Sequence, residues 1–288
     1  MAYNRCMSHN RPFTLNDLRE ARIHGKPLAM LTCYDYTTAR HLDETGVPML
    51  LVGDSASSVI LGHPSTLPVS LDFMIELTSA VRRGAKRSLV MADMPFGSYQ
   101  ESDQQGIRNV LRMVKETNCD CVKIEAGVFS VSLIERLSDA GVAVVAHLGL
   151  RPQTVGLMGG YKYQGRTAKQ ADQIVRLSQT MVRAGASALL LEAVPPPVSQ
   201  KVVQVTDVPV IGCGAGPACH AHVVVLQDLL GLTPHPPRFV PVLEKGSLQD
   251  MVRRFVDLVE SGAYPDSSQT YEMPPEEQDK FKRNVQTI

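Results

Sequence analysis

The chain has 288 residues, of which 44% are hydrophobic and 20% charged, and its 29 basic side chains equal its 29 acidic ones. This composition excludes general disorder, because disordered chains combine low hydrophobicity with high net charge. The balanced charge gives no general attraction to nucleic acid or to an anionic membrane. No apolar run approaches the roughly 18 residues of a spanning helix. We therefore expect no nucleic acid partner and no membrane partner.

The cysteines and the N-terminus bear on the cellular compartment. The six cysteines form no Cys-x-x-Cys pair, and the chain is too long for a disulfide-stapled miniprotein. We therefore expect reduced thiols and a cytoplasmic location. Residues 1–12 are expected to be a flexible N-terminus without a secretory apolar stretch. Because Arg5 and Arg11 precede the first acid, Asp17, a mitochondrial location follows if these residues belong to a leader.

Short apolar runs alternate with longer amphipathic ones along the chain. Runs that are apolar on both faces predict parallel strands covered on both sides, at residues 28–34, 49–53, 88–93, 119–125, 142–148, 188–192 and 208–212. Apolar residues at helical spacing predict helices at residues 37–44, 71–83, 103–118, 132–140, 168–184, 221–230 and 248–261. With an eighth strand at residues 238–240, this alternation predicts an α/β fold.

Two α/β architectures fit the alternation, a closed (β/α)8 TIM barrel and an open doubly wound sheet. A length near the typical barrel size of about 250 residues favours the barrel, as does the absence of a break in composition. We predict a single catalytic barrel domain over residues 13–264. The polar residues 265–288 are expected to form a loose C-terminal tail.

Acidic residues end several of the predicted strands. In either architecture the carboxyl ends of parallel strands form the active edge. Four acids stand there, namely Asp54, Asp93, Glu125 and Glu192. Unpaired, they would repel one another and raise their own pKa values, and a hard cation such as Mg²⁺ relieves this repulsion. One acid at such a junction also fits a helix N-cap, but four at equivalent positions favour a Mg²⁺ site.

Lys123 and His147 are expected to lie beside these acids. Lys123 stands two residues before Glu125, so both side chains point to the same face of the strand. A lysine inside a barrel is costly unless it pairs with acids or an anionic ligand. Lys123 is therefore a candidate anchor for a substrate carboxylate or oxyanion, with an internal salt bridge as the alternative. His147 is either a substrate contact, a polar donor behind the site, or a histidine satisfied in the core.

Two motifs resemble known sites but lack a required residue. Ser55 follows Asp54, yet Ser57 stands where a nucleophile elbow has its second glycine, which disfavours a serine hydrolase. The glycines of residues 212–216 invite a dinucleotide interpretation, but Pro217 breaks the required spacing. We interpret these glycines as close backbone packing at the barrel rim.

Two further segments carry chemistry-bearing residues. Residues 219–222 read Cys-His-Ala-His but have no fourth partner at a known zinc spacing, which disfavours a zinc site. Residues 156–166 combine glycines with tyrosine, lysine and arginine. They are typical either of a mobile basic loop over the site or of a plain loop.

Nine short motifs, taken together, resemble one enzyme family. They lie at residues 31–36, 52–55, 80–85, 92–96, 122–125, 147–153, 159–166, 191–195 and 212–216. Each motif alone is weak, but nine in this order are highly specific. Over about residues 13–264, the chain resembles the ketopantoate hydroxymethyltransferase (3-methyl-2-oxobutanoate hydroxymethyltransferase) family.

The resemblance implies a Mg²⁺-dependent (β/α)8 barrel that acts as a homo-oligomer, typically a decamer in bacteria. It implies transfer of a hydroxymethyl group from 5,10-methylenetetrahydrofolate to 3-methyl-2-oxobutanoate, giving 2-dehydropantoate for pantothenate synthesis. By position, the metal ligands would be Asp54, Asp93 and Glu125. The 2-oxo acid would be bound by Asp54, Ser55, Asp93 and Lys123, to which we add His147 at the rim. The catalytic base would be Glu192.

The chain departs from the family pattern at four positions. The family histidine before Thr78 is replaced by Leu77, and a family glycine is replaced by Ser57. His220 and His222 stand where the family has Asp-Gly-Gln, and we interpret His220 as replacing a helix-capping acid. None of these positions is among the proposed metal ligands or the base.

Two alternatives to this function remain at the level of sequence. One is another Mg²⁺-dependent barrel enzyme, a lyase or mutase of the phosphoenolpyruvate mutase and isocitrate lyase kind, acting on a small 2-oxo acid. Those enzymes carry a loop cysteine motif that is not found in this sequence. The other is a catalytically inactive barrel, which the intact set of acids and Lys123 disfavours.

Overall fold

Eight parallel strands form a closed barrel in which the last strand pairs with the first. The computed structural model describes residues 11–285, so ten of the twelve residues of the predicted flexible N-terminus lie outside the described residues. The strands are β1 (Leu28–Thr32), β2 (Met49–Val52), β3 (Leu89–Asp93), β4 (Cys121–Glu125), β5 (Val144–Gly149), β6 (Ala188–Glu192), β7 (Val210–Cys213) and β8 (Ala221–Val224). The predicted (β/α)8 barrel is confirmed, and the doubly wound alternative is wrong.

Helices surround the barrel. They are α1 (Leu15–His24), α2 (Tyr36–Thr45), α3 (Ala56–Val59), α4 (Leu71–Gly84), α5 (Asp103–Thr117), α6 (Val131–Asp139), α7 (Val155–Met158), α8 (Ala168–Arg183), α9 (Pro196–Val205), α10 (Leu226–Leu229), α11 (Leu248–Glu260) and α12 (Pro275–Val285). Six of the seven predicted helices agree with the structure to within one residue at each end. Within residues 11–285, no helix is both long and apolar enough to cross a membrane.

Serine caps fix where three of the long helices begin. The side chains of Ser70, Ser102 and Ser247 each accept a hydrogen bond from the backbone N–H of the third helical residue. Such a cap satisfies a donor that has no partner within the helix, and it typically contributes about 1 kcal/mol. The caps therefore set the points at which α4, α5 and α11 leave the barrel mouth.

The eighth strand differs from the prediction. Residues 221–224, predicted as the start of a helix, form β8 between β7 and β1, whereas residues 238–240 form a turn. Of the helix predicted at residues 221–230, only residues 226–229 are helical, as α10, and the connection between β7 and β8 at residues 214–220 consists of turns and bends. His222 concealed the strand, since a histidine is unusual at a buried strand position, yet it packs edge-on against Tyr264 at 5.7 Å between ring centroids.

The apolar core has two layers separated by the barrel wall. One layer fills the barrel and includes Met30, Met49 and Met91, while the other lies between the strands and the helices. Leu18 of α1 packs into the inner layer and closes the amino-terminal end of the barrel. Because α1 plugs this end, the open end of the barrel lies at the carboxyl ends of the strands.

The C-terminal residues pack on the barrel, so the predicted loose tail is wrong. Phe281 of α12 is only 3% exposed. The Oε2 atom of Glu277 accepts a hydrogen bond from the backbone N–H of Ala168 at 2.8 Å, at the start of α8. The Nδ2 atom of Asn284 donates to Oδ2 of Asp172 at 2.6 Å. The sequence of this helix is polar apart from a few residues, so the burial of Phe281 could not be recognised from composition.

Candidate active site

The predicted site residues lie at the carboxyl-terminal mouth of the barrel. Successive side chains of a strand point to opposite faces. In β4, Cys121 belongs to the inner core and Val122 to the outer core, so Lys123 and Glu125 point inward. The same alternation brings in three more side chains from β3, β5 and β6, namely Asp93, His147 and Glu192.

Asp93 is the central acid of the cluster. Its Oδ2 atom lies 2.8 Å from Nζ of Lys123 and accepts the backbone N–H of Asp54 at 3.1 Å. Its Oδ1 atom is buried and has no hydrogen-bond partner among the described residues. Asp93 therefore binds the lysine with one oxygen and leaves the other free.

Lys123 continues the polar network across the barrel to the predicted base. Its Nζ atom lies 3.2 Å from Nδ1 of His147, and the Nε2 atom of His147 lies 3.2 Å from Oε2 of Glu192. The second contact has the distance of an ion pair but not the alignment of a hydrogen bond, because Nε2 lacks a bonded partner among the described residues. Lys123 therefore forms an internal salt bridge, the alternative foreseen to a role as substrate anchor. His147 contacts both Lys123 and Glu192 inside the cluster.

Two loop residues that the sequence analysis did not single out hold Glu125. Its Oε1 atom accepts the backbone N–H of Gln153 at 2.9 Å, and its own backbone N–H donates to the hydroxyl of Tyr99 at 3.2 Å. Oε2 is buried and has no described partner. Gln153 lies in a 3-10 turn after β5 and is 4% exposed. The only sequence signal for Gln153 was its place in the family motif at residues 147–153.

Burial raises the pKa values of the acids. It raises the pKa of Asp93 to about 7 and that of Glu125 to about 8, although the charge of Lys123 opposes both shifts. Burial likewise raises the pKa of Glu192 to about 7, again opposed by Lys123. Burial alone would lower the pKa of Lys123, but the surrounding carboxylates outweigh it and hold that pKa above its usual range. The site therefore concentrates negative charge around one buried cation.

A cavity of about 100 Å³ opens at this mouth. It is lined by Asp54, Ser55, Asp93, Lys123, His147 and Glu192, together with apolar residues of the strands. Glu125 is not part of the lining and stands behind it. The Oγ atom of Ser55 is 2.8 Å from the hydroxyl of Tyr34, so this side chain is held at the cavity wall.

A cavity of about 180 Å³ lies at the opposite end of the barrel, against α1. Its basic side chains are paired with acids of the same wall. Lys26 lies 3.1 Å from Glu260, and Arg87 lies 3.3 Å from Asp43. Because its charges are paired and no strand ends there, we place the chemistry at the smaller cavity.

The chemistry of the donor set fits a hard divalent cation. In the described part of the chain, no three or more His, Cys, Asp or Glu side chains form a ready-made metal site. Mg²⁺ does not need one, because it usually keeps several waters and takes one or two carboxylates. The unpartnered Oδ1 of Asp93 and Oε2 of Glu125 are buried acceptors that a cation or its water would satisfy.

The loop of residues 156–166 lies within electrostatic range of the acids of the site. Tyr161 is close enough that the charges of Asp54, Glu192 and Glu125 add to burial in raising its pKa. Tyr163 stacks on Tyr271 of the C-terminal segment, with 4.8 Å between ring centroids. The loop is therefore held to the segment that precedes α12.

The departures from the family pattern lie outside the cavity. The Oγ atom of Ser57 donates to the carbonyl of Ser65 at 2.8 Å, and Leu77 packs against the outer core. The Nδ1 atom of His220 accepts the backbone N–H of Val210 at 2.9 Å. Because β8 follows His220 rather than a helix, the idea that it replaces a helix cap is wrong.

The glycines after β7 pack closely, as predicted. A Cβ atom at Gly214 would lie 2.4 Å from the ring of Phe239, and one at Gly216 would lie 2.8 Å from Pro196. Both glycines have a positive φ, of 65° and 80°.

Cys219 is a buried free thiol, and His222 points away from the barrel interior toward Tyr264.

Comparison with known proteins decides the family. A family model described as ketopantoate hydroxymethyltransferase matches residues 12–267. A 3-methyl-2-oxobutanoate hydroxymethyltransferase of Thermobifida fusca (strain YX) is 43% identical over 266 residues, which cover 92% of this chain and 95% of that protein. The chain belongs to the ketopantoate hydroxymethyltransferase family. The resemblance seen in the sequence is thereby confirmed.

Other members of the ketopantoate hydroxymethyltransferase family match at similar identity. The protein of that name from Koribacter versatilis (strain Ellin345) is 42% identical, with 92% of this chain and 91% of that protein covered. An Arabidopsis thaliana relative, whose name includes the word mitochondrial, is 42% identical over 79% of this chain and 66% of that protein.

Solved structures of other enzymes share the barrel fold with this family member. The phosphoenolpyruvate phosphomutase of Streptomyces platensis subsp. rosaceus superimposes with a TM-score of 0.59 at 16% identity, covering 96% of this chain and 99% of that one. A phosphonopyruvate hydrolase solved with oxalate and Mg²⁺ has a TM-score of 0.56 at 13% identity, covering 95% and 96%. At these identities the likeness shows a common fold and no common reaction.

Proposed function

We propose that this protein transfers a hydroxymethyl group from 5,10-methylenetetrahydrofolate to 3-methyl-2-oxobutanoate, giving 2-dehydropantoate. Family membership supports the reaction. The observation that carries the mechanism is that Asp54, Asp93 and Lys123 line the same cavity as Glu192. Enolisation of a 2-oxo acid needs two things: charged groups that bind the substrate oxygens, and a base beside the carbon that loses its proton.

Three carboxylates and one ammonium group would bind the metal ion and the substrate oxygens. Asp54 and Asp93, with Glu125 behind them, would hold Mg²⁺. When bound, that ion would polarise the 2-oxo group and stabilise negative charge on its oxygen. Lys123, already within 2.8 Å of Asp93, adds a buried positive charge that favours binding of the substrate carboxylate. Ser55, held by Tyr34, supplies a hydroxyl donor at the same wall.

Glu192 would remove the proton from C3 of the 2-oxo acid. Its carboxylate lies off the proposed metal ligands and carries a pKa raised by burial to about 7, which suits a general base near neutral pH. The C3–H bond breaks to give an enolate and a protonated Glu192. Hydrolysis of the methylene bridge breaks both C–N bonds: the water oxygen stays on the one-carbon unit as formaldehyde, and the two protons of water go to the two folate nitrogens. The enolate carbon C3 then attacks this carbon to form the C–C bond, and the resulting alkoxide takes the proton from Glu192, which restores the base.

Solvent deuterium exchange at C3 tests this assignment, because it reports proton removal without the folate. With Mg²⁺ and 3-methyl-2-oxobutanoate in deuterium oxide, Glu192→Gln should lower exchange by about 10²- to 10⁴-fold, as loss of a general base does. Glu244→Gln, at a side chain 91% exposed, is the matched control and should exchange like the wild type. Calorimetry should show Mg²⁺ binding retained in both. Wild-type exchange in Glu192→Gln would remove Glu192 from its role.

The co-substrate requires a separate assay. Product formation from 3-methyl-2-oxobutanoate should depend on 5,10-methylenetetrahydrofolate, and cleavage of a 2-methylisocitrate-type substrate should be undetectable. Cleavage without folate would instead support the lyase alternative. No heat with Mg²⁺ and the 2-oxo acid would support an inactive barrel.

The family resemblance also leads us to propose a cytoplasmic homo-oligomer, with ten subunits as the expected number. Light scattering after size exclusion would give a mass near ten times the 31.5 kDa of one chain. A monomer active in the exchange assay would contradict the oligomer but not the chemistry.

A further inference from the structure

Gln153 joins residues of the mouth that come from different strands. It lies in the 3-10 turn Pro152–Thr154 after β5 and is almost completely buried. Its backbone and side chain together contact both Glu125 at the end of β4 and Asp54 after β2. These two acids are separated by a whole strand of the barrel, and Gln153 is the described residue that links them directly.

The side-chain amide of Gln153 uses its whole hydrogen-bonding capacity. Its Nε2 atom donates to Oδ2 of Asp54 and to the carbonyl of Met94, each at 2.9 Å. Its Oε1 atom accepts from the hydroxyl of Tyr99 at 2.7 Å and from Nε2 of Gln100 at 3.2 Å. An amide has two donors and one acceptor oxygen with two lone pairs. With every group satisfied, its orientation is fixed and the N–H face is turned to Asp54.

Tyr99 enforces that orientation. Its hydroxyl accepts the backbone N–H of Glu125 at 3.2 Å, so its single proton is directed to Oε1 of Gln153. The hydroxyl therefore donates to Oε1 of Gln153 and leaves the amide N–H groups for Asp54 and Met94.

Residue 153 holds one oxygen of each acid and leaves the other oxygen available. Its amide binds Oδ2 of Asp54, and its backbone N–H binds Oε1 of Glu125. Oε2 of Glu125 is buried without a described partner. We propose that Gln153 is a positioning residue that fixes Asp54 in the orientation in which it binds a divalent cation together with Asp93 and Glu125. This inference rests on the metal site of the proposed function.

A hydrogen bond from a neutral donor to a ligating carboxylate restricts its rotation without neutralising its charge. Residues that bind metal ligands in this way typically change metal affinity by 10- to 100-fold when they are replaced. The competing explanation is that Gln153 only holds the loops of β2, β3 and β5 together. In that case its loss would lower stability but leave metal affinity unchanged in the folded protein.

Gln153→Met separates these explanations, because it keeps the length of the side chain and removes both donors. We expect the Mg²⁺ dissociation constant of the full-length protein, measured by calorimetry without substrate, to rise about 10- to 100-fold. Thermal unfolding in EDTA reports the structural contribution separately. At saturating Mg²⁺ the deuterium exchange rate should return to within a few-fold of the wild type, because the base, Glu192, is untouched.

Gln100→Met is the matched control. Gln100 donates to the same amide oxygen but contacts neither carboxylate, so its loss should leave the Mg²⁺ dissociation constant within about twofold. If Gln153→Met does not fold, Gln153→Asn replaces it, since its shortened amide cannot reach Asp54. Wild-type Mg²⁺ affinity in a folded Gln153 variant would overturn the inference alone. Absence of Mg²⁺ binding by the wild type would overturn the proposed metal site as well.

Discussion

The Nε2 atom of His147 lies 3.2 Å from Oε2 of Glu192, while the Nδ1 atom of the same ring lies 3.2 Å from Nζ of Lys123. An ammonium group has only hydrogens to offer, so Nδ1 must be the acceptor, and the neutral ring then carries its proton on Nε2. Burial and the charge of Lys123 lower the pKa of His147 well below its usual value. His147 therefore stays neutral and leaves the proton removed from the substrate on Glu192.

This relationship predicts how the rate of enolisation depends on pH. Only the ionised form of Glu192 can act as a base, and burial raises its pKa to about 7. The rate of deuterium exchange should therefore rise from pH 5.5 to pH 8 with a midpoint of about 7. The measurement is the exchange rate at saturating Mg²⁺ and substrate. A rate that is constant over this range would contradict the prediction.

The raised pKa of Glu192 also predicts that its ionised carboxylate lowers the free energy of unfolding. Folded protein binds the proton of Glu192 more readily than unfolded protein does, so the free energy of unfolding falls as pH rises from about 4.5 to about 7. Glu192→Gln has no such loss. With the carboxylate 19% exposed, we expect the variant to be more stable than the wild type by about 1–3 kcal/mol at pH 8. At pH 4.5 the two should be nearly equal.

Urea unfolding at both pH values, without metal, measures this difference. Glu244→Gln again serves as the control, because its exposed carboxylate should give no pH-dependent gain. A variant less stable than the wild type at pH 8 would show that Glu192 contributes contacts that outweigh its burial.

Lys123 is predicted to hold the cluster together. Its side chain is 6% exposed and compensates the buried charge of Asp93. Removal of one partner of a buried ion pair typically costs about 3–5 kcal/mol, and we expect this loss for Lys123→Met at pH 8. At pH 5.5 the loss should be smaller, because Asp93, whose pKa burial raises to about 7, can then be protonated. Lys86→Met, at an exposed lysine, is the control.

The strands and the acids at their ends could be predicted because both follow from local pattern. Asp93 and Glu125 were found by reading the residue that ends each apolar run, and the structure brings them together. The eighth strand could not be predicted in this way. It is only four residues long, and His222 satisfies its burial by an edge contact with Tyr264 that no spacing along the chain reveals.

The loop residues of the site were missed for a related reason. Gln153 and Tyr99 act through buried hydrogen bonds to residues far away in the sequence. A glutamine after a strand is usually exposed, and only the place of Gln153 in the family motif at residues 147–153 distinguishes it. Partners of such side chains depend on how whole loops fold back on the barrel, which periodicity does not encode.

Gly149 is predicted to be essential for the position of the base. It has φ = 90°, and a Cβ atom there would lie 2.2 Å from the carbonyl oxygen of Glu192. Gly149→Ala must therefore displace the backbone of Glu192, and we expect deuterium exchange to fall by about 10- to 100-fold, as misplacement of a catalytic group does.

Gly141→Ala is the matched control for this effect. Gly141 has a similar φ of 82°, but a Cβ atom there would have no described atom within 4 Å. The two variants share the backbone strain of about 1–2 kcal/mol, so both should unfold at a lower temperature. Equal exchange rates in both would contradict the role of Gly149.

The docked C-terminal helix predicts a stability contribution from a segment with a polar sequence. Phe281→Ala should lower the free energy of unfolding by about 3 kcal/mol, because a buried phenylalanine is replaced by a cavity. Lys282→Ala, at the exposed neighbour, should change it by less than about 0.5 kcal/mol. Urea unfolding measures both. Equal effects would mean that α12 is not docked in solution.

Closure of the barrel through β1 and β8 ties residues almost 200 positions apart, since Leu28 is paired with Ala221. During synthesis, β1 cannot pair with β8 until residue 224 has left the ribosome. One edge of β1 stays unpaired until then. Sequence-distant pairing of this kind slows folding and prolongs exposure to aggregation. Expression yield should therefore depend on chaperones acting on the nascent chain more than on the stability of the finished protein.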